Sequence, residues 1–241
     1  MQCSRRGFVN STLLAVASAL LPVRRVGADA GSVPAMLDHL ILGSSDLDRG
    51  IAFVEARTGA RAAFGGVHPG KGTQNALLSL SGRGYLEIMA PDPAQPDATN
   101  PLAPHLKELK DPRLVWWAAH PGDLAVLARK LREANIAFNG PTPGSRKRSD
   151  GLVLQWQTLM LKDNASRMLP FFIEWSADSV HPSADSPKGC SLVRFEASTP
   201  NRDALAKRVA LLGLDLPVLN GPKAQLRATI AGPKGHFDIY G

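Results

Sequence analysis

The chain has 241 residues, 44% of them hydrophobic and 20% charged, a composition that suits one large or two small globular domains and excludes disordered and fibrous classes. Its formal charge is +7, but residues 1–30 hold four arginines against one aspartate, so the remainder carries +4. That mild excess, with Arg146-Lys147-Arg148 as its densest basic run, argues against a nucleic-acid groove, which needs more basic residues with aromatics between them.

The first thirty residues read as a targeting segment: a basic head, an apolar run from Leu13 to Leu21, and Ala28-Asp29-Ala30 spaced as a signal-peptidase site. The run is too short for a membrane span. Ser4-Arg5-Arg6-Gly7-Phe8-Val9 resembles the twin-arginine export signal, with an ordinary secretory signal or an uncleaved anchor as the alternatives. The expected location is periplasmic or secreted, with the mature domain covering 31–241 and keeping no stable membrane span after cleavage. Cys190 is then its single cysteine, so no internal disulfide can form.

From Met36 the order strand, helix, strand, strand, strand is predicted. Met36–Leu42 is a short apolar strand broken by Asp38 and His39, and Ser45 to Asp48 supplies helix-capping residues before Ile51, Phe53 and Val54. Gly59 ends the helix. The runs Arg61–Phe64, Asn75–Leu80 and Tyr85–Met89 follow as strands between glycine turns. Alternation puts Leu37, His39 and Ile41 on one face of the first strand, opposite Asp38, Leu40 and Leu42. Glu87 occupies the middle of the last strand, where an apolar residue is the norm.

The proline-rich stretch from Pro91 to Pro104 reads as a connector. Pro112–Ala119 is a strand, Asp123–Asn135 an amphipathic helix carrying Leu124, Leu127, Ala128 and Leu131 on one face, and Ile136–Phe138 a short strand. Asn139–Gly151 reads as a loop, Leu152–Leu161 and Leu169–Trp175 as strands, with Glu174 inside the last. The helix starts Asp46-Leu47 and Asp123-Leu124 align, which sets His39 against Trp116 and Glu87 against Glu174. The two units, about 36–90 and 112–176, therefore read as a duplicated module. A shorter third unit, about 190–240, repeats the order strand, helix and three β-type runs after a loop at His181–Gly189.

The residues that break local patterns are the functional candidates. His39, Glu87 and Glu174 interrupt apolar strands, and a carboxylate there must be paired or face water. His68 sits in a Gly-Pro-Gly turn, which it shapes or uses. Asn75 is a turn-stabilising residue or a ligand contact, and His181 precedes Pro182 in a polar loop. Arg148 belongs to a basic run that is a solvated face unless it borders a site. No Ser-His-Asp order, P-loop, dinucleotide fingerprint or cysteine metal motif is present.

The segments LDHLILGSSDLD, GGVHPGKGTQNALLSL followed by YLEIMAPD, RSDG, and LPFFIEWS followed by HPS resemble the vicinal-oxygen-chelate superfamily, and within it the glyoxalase-like domain proteins. The resemblance covers nearly the whole mature chain. It implies an α+β fold in which βαβββ modules form a partly open mixed β-barrel around a divalent metal, Zn, Fe, Mn or Ni. The implied metal ligands are His39, Glu87 and Glu174. The fourth position falls on Trp116, whose indole nitrogen is donor-only and cannot ligate. The implied chemistry is a metal-assisted lyase, isomerase or dioxygenase reaction on a small oxygenated molecule. Glu174 and His68 are then catalytic, and Arg148, Trp116, Asn75 and His181 contact the substrate. The competing reading is a non-catalytic small-molecule binder, with Trp116, Trp117 and Trp156 stacking on the ligand. A partner-binding protein whose sheet edges pair in a homodimer is left open.

Overall fold

The computed structural model describes Met1 and residues 33–96, 102–148 and 150–241. Apart from Met1, the expected export signal lies outside the described residues. The first unit comprises β1 (Leu37–Gly43), α1 (Leu47–Thr58), β2 (Ala63–His68), β3 (Thr73–Ser79) and β4 (Tyr85–Pro91). α2 (Leu102–Lys107) follows within the connector. The second unit runs β5 (Arg113–Ala119), α3 (Leu124–Glu133), β6 (Phe138–Lys147), β7 (Val153–Leu161) and β8 (Phe171–Trp175).

Local chemistry sets the helix ends. The Asp46 side chain accepts from the Arg49 backbone N–H to start α1, and Gly59, at φ 79°, closes it in the left-handed region. Asp123 caps α3 in the same way through Val126.

Both units join one eight-stranded sheet of order β2-β3-β4-β1-β5-β8-β7-β6. β1 pairs parallel with β4 and antiparallel with β5, which pairs parallel with β8. The two halves thus repeat the same strand order about the central β1–β5 pair, and the sheet curls until its edge strands β2 and β6 touch. This is the expected α+β half-barrel. Its convex face carries the main core: Leu40, Leu42, Leu86 and Ile88 pack with Val54 of α1, and Leu124 and Leu131 of α3 join the same cluster. On the concave side Ile41, Met89, Phe171 and Ile173 cluster with Leu102 and Leu106 of α2.

After α4 (Pro182–Asp185), the third unit consists of β9 (Ser191–Thr199), α5 (Arg202–Leu211), β10 (Val218–Asn220), β11 (Gln225–Gly232) and β12 (Gly235–Tyr240). Its chain order is that of the other units, but its sheet runs β10-β9-β11-β12. The first strand is interior here and lies at one end of each four-strand set in the other two units. This sheet packs its Phe195, Ala228 and Ile230 into the main core. Gly232 lies so close to the end of α1 that a Cβ there would stand 2.6 Å from the Thr58 carbonyl oxygen.

One difference from the sequence reading matters for function. Asn139–Gly151 is mostly not loop: β6 is a ten-residue strand through Pro141 and Pro143. Proline suppresses the strand signal yet is tolerated on an edge strand, which β6 is. β2 likewise continues through Gly65-Gly66 to His68, which therefore stands on a strand end.

Candidate functional site

The concave face of the sheet encloses a cavity of about 1240 Å³. Its polar end is built around His39. In the first unit alternation directs His39, Asn75 and Glu87 inward, and all three are buried. His39 Nδ1 lies 2.8 Å from Asp38 Oδ1, and its Nε2 lies 3.4 Å from Glu87 Oε2. Asp38 was expected on the opposite face. A register irregularity between Leu37 and His39 in the β1–β5 pairing breaks the alternation, so adjacent side chains meet.

The network continues in both directions. Asn75 Nδ2 donates to Glu87 Oε1 at 2.5 Å, and Asn75 Oδ1 accepts from Arg146 Nη1 at 2.5 Å. Asn75 Nδ2 also lies 3.3 Å from His68 Nε2, and His68 Nδ1 lies 2.9 Å from Thr73 Oγ1. These contacts orient the amide with its oxygen toward the guanidinium, and they assign the His68 proton to Nδ1. On the other side Asp38 Oδ2 is 3.1 Å from His181 Nε2, and Trp175 Nε1 donates to the same carboxylate at 3.3 Å. The chain of charges therefore alternates: Arg146 positive, Glu87 negative, His39 positive, Asp38 negative.

Burial opposes each of these charges, and the neighbours decide the outcome. Desolvation alone would neutralise His39, but its bonds to Asp38 and Glu87 raise its pKa from 6.5 to about 9, so it is an imidazolium. Burial raises the Glu87 carboxyl, yet the bond and charge of His39, with His68 and Asn75, bring it down from 4.5 to about 2. Burial likewise acts upward on Asp38, and His181 and His39 hold it well below the ordinary carboxylate range. His68 goes the other way: burial lowers it, Arg146 and His39 push it further down, and Glu87 compensates only in part. His68 is therefore a neutral base beside a buried cation. Tyr85 stacks on His39, ring centroids 4.6 Å apart, and burial with the two carboxylates keeps its phenol protonated.

Of the expected residues, His39, His68, Asn75, Glu87 and Trp116 line the cavity. Trp116 donates its indole N–H to the Leu169 carbonyl at 2.9 Å. Glu174 does not belong to this group. It shares its strand face with Phe172, which is in the convex core, and its Oε2 accepts from the Leu124 backbone N–H at 2.8 Å at the start of α3. A carboxylate at a helix N-terminus is a stabilising arrangement, so its strand-interior position serves α3. Ile173 and Trp175 face the cavity instead. Arg148 also falls outside: it pairs with Asp185 and Asp150 at the rim. His181 is not a cavity contact but orients Asp38 from behind, with its Nδ1 2.8 Å from Ser183 Oγ.

The residue that sequence reading missed is Arg146, buried and lining the cavity. Its neighbours in sequence made it look like part of a solvated charge run. Strand alternation in β6 would have separated it from the exposed Lys147, had the two prolines not hidden the strand.

The metal implied by the resemblance was tested against these donors. Glu174 is on the wrong face, and the second unit turns Trp116, Phe171 and Ile173 toward the cavity. His39 Nδ1 is held by Asp38 at 2.8 Å, and its Nε2 faces Glu87 Oε2 at 3.4 Å. Asn75 Nδ2 contacts both Glu87 Oε1 and His68 Nε2, which lie 3.6 Å apart. Among the described residues no group of three or more His, Cys, Asp or Glu is arranged to hold a metal ion. The residues present do not fit the metal.

A family model described as a glyoxalase-like domain matches residues 37–213. A hypothetical protein from Staphylococcus aureus has a similar crystal structure, at 18% identity over 84% of each chain and a TM-score of 0.58. Methylmalonyl-CoA epimerase from Mycobacterium tuberculosis is 20% identical over 58% of this chain and 85% of its own, at a TM-score of 0.42. The Streptomyces coelicolor enzyme of the same name is 19% identical over 57% and 95%, at 0.43. A comparison with curated proteins returned no match.

Proposed function

Starting from the fact that the chain belongs to the glyoxalase-like domain family, with its vicinal-oxygen-chelate fold, we propose that the cavity binds a small anionic oxygenated molecule on Arg146 and that His68 moves a proton on it. The observation that carries this reading is the guanidinium itself. A buried cation costs several kcal/mol unless it is well compensated. Arg146 has five N–H donors, and among the described residues the one side-chain hydrogen bond it makes is to Asn75. The remaining donors suit a carboxylate or enolate oxygen, which a guanidinium binds in bidentate fashion.

The reaction class is proton abstraction next to a carbonyl. His68 Nε2 gives up its contact with the Asn75 amide to take the proton, the C–H electron pair moves onto the carbonyl oxygen, and Arg146 stabilises the resulting enolate. Return of the proton gives an isomerised product and restores the neutral imidazole. Glu87, held ionised, is too weak a base for the role. It balances His39 and, through Asn75, orients Arg146.

A second reading, a binder without turnover, is favoured by the aromatic lining, including Trp116, Trp156 and Trp175. Hydrogen exchange at the methyl group of pyruvate in D₂O, followed by proton NMR, separates the two. The enzyme reading expects exchange that His68→Gln abolishes while pyruvate still binds by calorimetry, and that Arg146→Met abolishes together with binding. Binding without exchange establishes the binder. Exchange unaffected by both substitutions overturns the site. Export is part of the same reading and rests on the N-terminal sequence alone; a reporter fused to residues 1–35 that stays in the cytoplasm would remove it.

A further inference from the structure

Aromatic rings line the cavity alongside its charges: Phe171 meets His39 edge-on with centroids 5.6 Å apart, and the Arg167 guanidinium carbon lies 5.8 Å from the Trp116 ring centroid. Trp116 meets Phe171 edge-on, centroids 5.0 Å apart at 63°, and Trp156 meets Trp175 at 5.2 Å and 54°. Two of these indoles are pinned by their own N–H groups, Trp116 on the Leu169 carbonyl and Trp175 on Asp38. They therefore offer the cavity carbon faces and no free donor.

Trp156 is held differently. A Cβ on Gly144 would stand 2.5 Å from its Nε1, 2.7 Å from Cε2 and 3.1 Å from Cζ2. Three ring atoms that close to one glycine mean that the indole lies against the β6 backbone, and the residue lines the cavity. In the β6–β7 ladder Gly144 opposes Trp156 and Arg146 opposes Leu154. Arg146 and Trp156 are thus diagonal neighbours on the inward face, about 7–8 Å apart at the backbone.

Resting on the Arg146 anchor proposed above, we infer that the ligand is an aromatic carboxylate, its ring on the Trp156 wall and its carboxylate on Arg146. Fixed, flat indoles favour a planar ring over a saturated one of equal size, because offset and edge contacts between π systems add to simple burial. Neither end suffices alone: the aromatic wall supplies contact area, and the cation fixes orientation.

Calorimetry of the full-length protein with acetate, phenylacetate, cyclohexylacetate and 2-phenylacetamide tests this. Phenylacetate is expected to bind on the order of a hundredfold more tightly than acetate and about three- to tenfold more tightly than cyclohexylacetate, with 2-phenylacetamide far weaker. Trp156→Leu should erase the difference between the phenyl and cyclohexyl compounds and leave acetate binding intact, while Trp156→Phe should retain it. If acetate binds in an Arg146-dependent manner but the two ring compounds bind equally, the inference falls and the anchor stands. If 2-phenylacetamide binds as well as phenylacetate and Arg146→Met changes neither, the anchor falls and the carboxylate assignment with it. If no carboxylate binds, both are wrong.

Discussion

Replacing Gly65 by alanine probes the seam where the barrel closes. The added Cβ would stand 2.4 Å from Arg146 Nη1, 2.5 Å from Asn75 Oδ1 and 2.9 Å from Leu77 Cγ. Ordinary contact is about 3.5–4 Å, so the guanidinium must retreat by roughly 1 Å. The Arg146–Asn75 bond starts at 2.5 Å, and that retreat takes it past the normal range. Losing a hydrogen bond to a charged group costs about 1.5–3 kcal/mol, and the overpacking adds about 1–3 kcal/mol. Urea unfolding should therefore show a loss of about 2.5–6 kcal/mol, and the acetate affinity measured by calorimetry should fall about ten- to hundredfold. The backbone of Gly65 is not in the left-handed region, so the effect is steric. Gly213→Ala supplies the contrast: with φ 70° and nothing within 4 Å, it should cost about 1–2 kcal/mol through the backbone alone and leave acetate binding unchanged. A Gly65→Ala protein of unaltered stability and acetate affinity would refute the placement of Arg146.

Three further outcomes follow from the network. The His39 pKa rises from 6.5 to about 9 on folding, which corresponds to roughly 3 kcal/mol of stability that is full below pH 6.5 and lost as pH rises through 9. Glu87, lowered from 4.5 to about 2, gives the mirror image, its contribution full above pH 4.5 and lost as pH falls through 2. Urea unfolding from pH 5 to 10 should show the alkaline fall in the native chain and not in His39→Gln; matching curves would contradict the imidazolium. Glu174→Gln should weaken the start of α3 by up to about 1 kcal/mol and leave acetate binding unchanged, whereas loss of binding would return Glu174 to the site. Dialysis against EDTA should alter neither the unfolding midpoint nor the acetate affinity. Stoichiometric metal by elemental analysis, released by Glu87→Gln, would overturn the donor argument.

The architecture, and several side chains that line the cavity, are legible in the sequence. Capping aspartates, apolar periodicity and the repeated strand order were enough for the two modules, because each is a local signal. His39 and Glu87 were visible as polar residues in apolar strands. Glu174 had the same local signature but a different cause, since a strand residue facing a helix start satisfies its carboxylate on backbone N–H groups. Periodicity does report the face, and Glu174 does share one with Phe172; which face is concave is a tertiary fact. Asp38 was hidden by a register irregularity, and Arg146 by two prolines in an edge strand.

The duplication explains why the cavity has two characters. Equivalent strands present inward positions in the same order from each half, so two polar halves would converge on one ion. Here the first half supplies His39, Glu87 and Asn75, while the second supplies Trp116, Ile173 and Trp156. The cation opposite Glu87 comes instead from β6, across the seam with β2, where Gly65 leaves room for a guanidinium. A fixed organic cation differs from a metal in what it can recognise. It binds oxyanions through directed N–H bonds and needs no deprotonated ligand set. On the proposed reading its selectivity is set by the aromatic side chains that line the same cavity.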